Sequence, residues 1–364
     1  MPVSDQRDPG QVRVALEAWL GRQMPEASAI EITDLVVPAA TGFSNETFLM
    51  DVRWVEPAGP VEAELVLRSQ PQTTALFPEI DIISQQYRTM TQLGAHTDIP
   101  VPRTRWAEPG TDVLGQPFFV MDRVKGDVPG DSPPYTVEGF VMDMTPEQRR
   151  TWHRNAVTAM ARVGAVDWRA AGLDYLDKPH HGRLGAEQRR NYFDLFLRWA
   201  CRGLPHPVAD PAWDWLLSHW PEDDDLVELS WGDARPGNQM FRDLDVVGIF
   251  DWEMVSLGNS ESDLGWWLFL QRYHTEGSGV PLPEGMLDRD QTIALWEEVR
   301  ARPARHVDFY EVLGGFHFTL VMVKLAEMMA RFAPELADAD MAVYNPVASI
   351  TAELIGVDPP VRSA

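Results

Sequence analysis

A chain of 364 residues, 45% hydrophobic and 24% charged, is long enough for two domains or one large bilobal unit and too apolar for disorder. Its 55 acids against 31 bases leave a net charge of −24, which repels phosphate backbones and anionic lipid and argues against nucleic acid or a membrane as partner. The one cysteine, Cys201, excludes an internal disulfide and a cysteine-rich zinc site; with no apolar leader in residues 1–20, the expected compartment is the reducing cytoplasm.

Only three of the bases are lysines, Lys125, Lys178 and Lys324, so no chemistry can use a lysine ahead of residue 125. The longest apolar run, residues 313–323, holds 11 residues including His317. That is well short of the roughly 20 needed to span a bilayer.

In chain order, Val12, Leu16, Trp19 and Leu20 mark an amphipathic helix. From Ile32 the period changes to two. Phe48, Met50, Val52 and Trp54 alternate with Leu49, Asp51, Arg53 and Val55, and residues 32–68 predict three strands. The first two join through 41–45, and Glu56-Pro57-Ala58-Gly59-Pro60 turns the chain into the third. Residues 78–93 predict a helix, 104–108 and 117–124 a strand pair, and the Pro/Gly-rich stretch 126–134 a linker. Thr145-Pro146-Glu147-Gln148 is a capping box opening a helix, and another helix is expected over 185–199. Short strands follow at 226–229, 239–242 and 246–251, the last two a hairpin across 243–245; residues 263–355 read as mostly helical. Strands first and helices afterwards predict an α+β fold with two unequal lobes.

The densest chemistry lies in Ser230-Trp231-Gly232-Asp233-Ala234-Arg235-Pro236-Gly237-Asn238 and Ile249-Phe250-Asp251-Trp252-Glu253. Asn238 and Asp251 offer hard oxygen ligands suited to Mg²⁺. Asp233 is left to accept a proton from an attacking hydroxyl, and Arg235, two residues on, can stabilise a transferring phosphoryl group. Any one Asp or Asn beside Pro-Gly usually makes only a turn; three at these spacings, each near a strand, favour a site.

These residues resemble the catalytic loop and metal-binding Asp of the aminoglycoside phosphotransferase and choline kinase family, small-molecule relatives of protein kinases. Trp231 stands where the family has His, while the Asp233-to-Asn238 spacing, Asp251-Trp252-Glu253 and the downstream Asp263-Leu264 are intact. The resemblance runs over about residues 32–270. It implies a protein-kinase-like bilobal fold: an N-terminal nucleotide-binding lobe of small antiparallel sheet, 1–124, and a mostly helical catalytic and substrate-binding lobe, 125–364. It further implies transfer of a γ-phosphoryl group from ATP, or GTP in its place, with Mg²⁺, to a small-molecule hydroxyl.

Under that resemblance, Ser44 and Asn45 of Gly42-Phe43-Ser44-Asn45 fall in the phosphate loop, and Val66 and Arg68 share one strand face, Val66 roofing the base and Arg68 replacing the missing lysine. Met121 to Val124 form the interlobe hinge. The usual Glu partner of the cation is Gln86 here, with Glu79 or Asp81 as substitutes. A catalytically weakened nucleotide-binding regulator is the alternative, motivated by Trp231 and Gln86. A protein kinase is disfavoured because only 11 residues separate Asp251 from Asp263. His180-His181, flanked by Pro179 and Gly182, reads as a loop pair, not a metal site, and Asp223-Asp224-Asp225 as a solvated face. Residues 271–330 carry nine acids and six bases, no greater an acidic excess than the whole chain, so an aminoglycoside and a less charged hydroxyl compound stay equally open as acceptor.

Overall fold

Alternating buried positions are what close the sheet. In the computed structural model, which describes residues 9–38, 46–70, 76–79, 81–332, 334 and 340–362, five antiparallel strands run β1 (Ser28–Val36), β2 (Glu46–Glu56), β3 (Gly59–Ser69), β4 (Thr104–Glu108) and β5 (Phe118–Asp122), in the order β1-β2-β3-β5-β4. Phe48, Met50, Val52 and Trp54 are buried, as the alternation requires. β1 begins four residues before Ile32, because irregularities between Ser28 and Glu31 and between Ile32 and Asp34 break its period. The β2–β3 hairpin closes on Pro57-Ala58 alone, with Glu56 opposite Gly59.

The two faces of this sheet serve different cores. Leu65, Leu67, Phe118 and Val120 pack beneath α1 (Pro9–Gln23), against Leu16, Trp19 and Leu20. Trp19 meets Phe118 edge-on at 4.8 Å, and its indole N–H donates to Glu108 Oε2 at 2.9 Å. Val66, Phe119 and Met121, on the other face, join the core shared with the helices. Of the predicted nucleotide-binding residues, Val66 and Met121 lie on that face.

The predicted helix 78–93 starts later. Asp81 accepts from the backbone N–H of Ile83 (3.1 Å) and Ser84 (3.0 Å), a side-chain cap on the first turn. A π-helical turn, Ile83–Arg88, then runs into α2 (Thr89–His96). Glu79, at φ +59°, stands outside the helix.

Beyond β5 the chain is mostly helical: α3 (Phe140–Asp143), α4 (Pro146–Gly164), α5 (Ala186–Cys201), α6 (Ala209–Ser218), α7 (Glu261–Thr275), α8 (Arg289–Arg300), α9 (Val307–Phe332) and α10 (Pro346–Leu354). Both halves of the Thr145/Gln148 capping box form. Between α6 and α7 lie β6 (Glu228–Ser230), paired with β9 (Ser256–Gly258), and the hairpin of β7 (Gln239–Arg242) and β8 (Asp245–Ile249). Asp243 and Leu244 turn that hairpin at φ +50° and +74°, the doubly left-handed geometry a two-residue connection favours.

α7 and α9 cross closely because of Gly265: a Cβ there would lie 2.3 Å from the Tyr310 carbonyl carbon. α9 is long and apolar enough to cross a membrane by composition, yet Leu313, Phe316 and Leu320 are buried against α5 and α6. Asp224 is buried, not part of a solvated face.

Candidate active site

β6 delivers Ser230 to a bend that one carboxylate holds. Asp263, in the first turn of α7, accepts from Ser230 Oγ (2.8 Å) and from the backbone N–H of Trp231 (2.8 Å) and Gly232 (2.9 Å). Gly232 is at φ +92°, and a Cβ would lie 2.3 Å from the Met254 carbonyl oxygen, so only glycine fits. Trp231, fully buried, donates its indole N–H to the Phe250 carbonyl at 2.8 Å and packs 5.9 Å from Trp252. The large indole therefore ties the loop directly to the strand end that carries Asp251.

That bend aims Asp233 into a set of donors. Its carboxylate receives Asn238 Nδ2 at 2.6 Å, Arg235 Nε at 3.1 Å from each oxygen, and Trp266 Nε1 at 3.0 Å. Burial pushes the Asp233 pKa up, and nearby Asp251 adds to the rise; Arg235 opposes both without cancelling them. The far end of Arg235 pairs with Asp131. Burial alone would loosen the Arg235 proton, but the two carboxylates outweigh it and raise its pKa.

Asp251 sits at φ +57°, a conformation that side chains rarely adopt and that recurs at functional sites. Its Oδ2 lies 3.5 Å from Arg68 and its Oδ1 is buried with no hydrogen-bond partner among the described residues. Asn238 is fastened alongside, its carbonyl accepting from Phe250 N at 2.9 Å. Because its amide nitrogen is spent on Asp233, its amide oxygen is left as an acceptor. An orphaned carboxylate oxygen beside a spare amide oxygen is a donor set that fits Mg²⁺.

Across the lobes, Val66 pairs with Met121 in the β3–β5 register, both buried on the face toward the helices. Val124 follows β5 and is half-buried. Arg68 reaches Asp251 instead of the helix: Asp81 caps its own turn, and Glu79 binds His180 and His181. Gln86 is buried, with Nε2 unpartnered among the described residues. Ser44 and Asn45 lie outside the described residues.

Two contributors were missed from the sequence. Asp131 sits in a Pro/Gly-rich stretch that reads only as linker. Trp266 reads as core, yet its place three residues after Asp263 on one helix was the available signal, since that spacing shares a face. Trp266 also lines a cavity of roughly 130 Å³ with Tyr192, Phe193, Leu313 and His317, with Gly232 and Glu253 at the loop side. His317 Nε2 is buried without a partner among the described residues, and burial pushes the imidazole down to about 3, so the ring is neutral.

The profile of the "Phosphotransferase enzyme family" matches residues 36–302. "Probable acyl-CoA dehydrogenase IBR3" of Arabidopsis thaliana is 27% identical over 296 residues, 76% of this chain and 34% of that protein. The chain spans about a third of the length of the first curated relatives it matches. Among solved structures, a Ralstonia eutropha protein provisionally assigned as an aminoglycoside phosphotransferase superposes with a TM-score of 0.67 at 24% identity, over 94% of this chain and 98% of that one. A thermostable mutant of aminoglycoside phosphotransferase APH(4)-Ia, in complex with AMP-PNP and hygromycin B, superposes with a TM-score of 0.56 at 13% identity, over 94% and 98% of the two chains.

Proposed function

The chain belongs to the phosphotransferase enzyme family, and from that premise we propose that it transfers the γ-phosphoryl group of ATP, or GTP in its place, to a hydroxyl of a small molecule. The observation that carries this reading is the convergence of Asp233, Asn238 and Asp251: one desolvated carboxylate held by three donor side chains, beside an orphaned carboxylate oxygen.

In this reading the chain divides at residue 124, the sheet lobe binding the nucleotide. Val66, Met121 and Val124 hold the base, Ser44, Asn45 and Arg68 the phosphates. Asn238 and Asp251 hold Mg²⁺, which supplies neutralisation of phosphate charge when bound. Asp233 orients the acceptor hydroxyl and takes its proton as the oxygen bonds to the γ-phosphorus and the bond to the β-phosphate oxygen breaks. Arg235 fixes the Asp233 carboxylate and presents positive charge where the transferring group gathers negative charge. A regulator without turnover is disfavoured by this cluster, which nucleotide binding alone does not require.

We place the body of the acceptor toward the cavity behind Gly232, whose lining ends at Gly232 and at Trp266, the neighbours of Asp233. Tyr192, Phe193, Trp266 and Leu313 give it an apolar wall, while Glu79, Glu253, Lys178 and Arg189 line it with charge of both signs. The apolar wall can take the apolar part of an alcohol. The names of the curated relatives, acyl-CoA dehydrogenases of which this chain matches about a third, support a hydroxyl carried on an acyl chain.

The test is Mg²⁺-dependent ADP release from the full chain against hydroxyacyl thioesters, aminoglycosides and simple alcohols, with the acceptor's mass gain read in parallel. One phosphorylated alcohol, found among the thioesters first, is expected. Nucleotide binding with no acceptor modified across the panel would favour the regulator. Arg68→Ala should raise the nucleotide KM by about tenfold to a hundredfold, the loss of a charge-assisted phosphate contact, with a smaller effect on kcat. Arg68→Lys should recover part of it, because a point charge replaces the fork.

A further inference from the structure

A second group of potential ligands stands away from Asp251, and nothing in the phosphotransfer reading uses it. Glu79 Oε2 lies 2.9 Å from His181 Nε2 and 3.3 Å from His180 Nε2, and the three ligand atoms all fall within 4.8 Å of one another. The two imidazoles, adjacent in sequence, sit 4.2 Å apart between ring centroids and turn the same nitrogen toward one carboxylate oxygen.

We propose that Glu79, His180 and His181 form a site for a divalent transition metal of the zinc class, joining the segment ahead of α2 to the 3₁₀ turn Pro179–His181 of the helical lobe. Tetrahedral ligation at about 2.0–2.1 Å needs ligand atoms roughly 3.3 Å apart, close to the separations from Glu79 to the two histidines. Two nitrogens and one carboxylate oxygen suit zinc, whereas the all-oxygen set at Asn238 and Asp251 suits Mg²⁺. Three protein ligands leave one position open, the arrangement of an exchangeable site and not of a closed structural one.

The turn that carries the histidines is held from behind by α5. Gln188 Nε2 donates to Asp177 Oδ1 at 2.6 Å and to the Gly182 carbonyl at 2.9 Å, and its Oε1 accepts from Lys178 N at 3.2 Å. Asn191 Nδ2 donates to the His181 carbonyl at 2.7 Å, and His181 stands edge-on to Tyr192 at 5.8 Å. Such backing orders ligands before a metal arrives. A bare Glu–His contact this near the surface would contribute little to stability. Glu79 and His181 also line the cavity behind Gly232, which puts the ion on the wall of the proposed acceptor space.

The experiment uses the tag-free full chain, stripped with a chelator and titrated with Co²⁺ alone in excess Mg²⁺. The expected result is one equivalent bound with visible d–d absorption, displaced by Zn²⁺. Glu79→Gln and His181→Ala should abolish the absorption, and Asp251→Asn should leave it. His180→Ala, at a side chain 57% exposed and safe for folding, should weaken Co²⁺ affinity by at least about tenfold. Absence of the absorption in the wild-type chain, or its persistence in Glu79→Gln or undiminished affinity in His180→Ala, would overturn the site. Because Co²⁺ binding needs no nucleotide or acceptor, either result is independent of the phosphotransfer assay.

Discussion

Replacing Asp233, the proposed base, with Asn should lower kcat by about 10²- to 10⁴-fold, the range expected when a positioned base is removed, while nucleotide binding measured without Mg²⁺ should persist. The geometry makes the substitution more than a change of charge. Both Asp233 oxygens are acceptors, with Asn238 Nδ2 at 2.6 Å on one and Trp266 Nε1 at 3.0 Å on the other. An amide placed there must point its own N–H at one of these donors. If Asn238 flips to relieve the clash, its amide oxygen is withdrawn from the metal position; if it does not, a buried donor is stranded at about 1–3 kcal/mol. The variant should therefore lose turnover, some stability and some Mg²⁺ affinity together. Metal-free nucleotide binding serves as the control for a folded sheet lobe. Wild-type turnover would remove Asp233 from the role of base.

The same surroundings set the direction of the pH profile. Burial and Asp251 raise the Asp233 pKa above the ordinary 3.8, with Arg235 only partly offsetting them. With Asp233 as the proposed base, turnover should depend on the ionised form, so the rate should fall as pH drops through that raised value and hold above it. Arg235→Gln removes the opposing charge and should move the acid limb upward; a profile that stays put would mean Arg235 does not couple to the base.

How much of this was legible in the sequence depended on range. Period-two alternation in β2 and the Asp233–Asn238–Asp251 spacings are local signals, and they foretold the strand faces and the residues that converge. The late start of the helix at Asp81 was less visible, since Pro78 and Glu79 do not exclude a helix from composition alone. Contacts across long separations left no trace. Arg235 finds Asp131 across 104 residues, and Glu79 finds His181 across 102. Neither acid carries a local pattern, one lying among prolines and glycines and the other ahead of a helix. The absence of an earlier lysine leaves Arg68 as the proposed cation, but its ion-pair partner carries no local signal. Among Gln86, Glu79 and Asp81 none is paired with it, because the ion pair runs between lobes to Asp251. The substitution of Trp231 for His becomes intelligible only once its indole N–H is seen on the Phe250 carbonyl.

Asp263→Ala is expected to cost about 2–6 kcal/mol, read as a large fall in the urea midpoint, although the residue has no proposed part in the chemistry. Asp263 is 2% exposed and accepts three hydrogen bonds, two of them from backbone N–H groups. Truncation strands both N–H groups, each at about 1–3 kcal/mol, while the Ser230 hydroxyl keeps Ser262 Oγ at 3.1 Å. Against the 5–15 kcal/mol that holds a typical domain together, that is a substantial share. Asp263→Asn separates the loss of acceptors from the loss of volume. An amide oxygen at the Oδ1 position still serves Ser230 and Gly232, while the amide nitrogen opposes Trp231 N, so its cost should fall between wild type and Ala. Because Gly232 tolerates no Cβ and leads directly into Asp233, any relaxation of the bend moves the proposed base. Both variants should therefore lose kcat in the same order as they lose stability. If the Ala variant instead melts within about 1 kcal/mol of wild type, the bend is held by the Trp231 indole and the β6–β9 pairing, and Asp263 is dispensable to it.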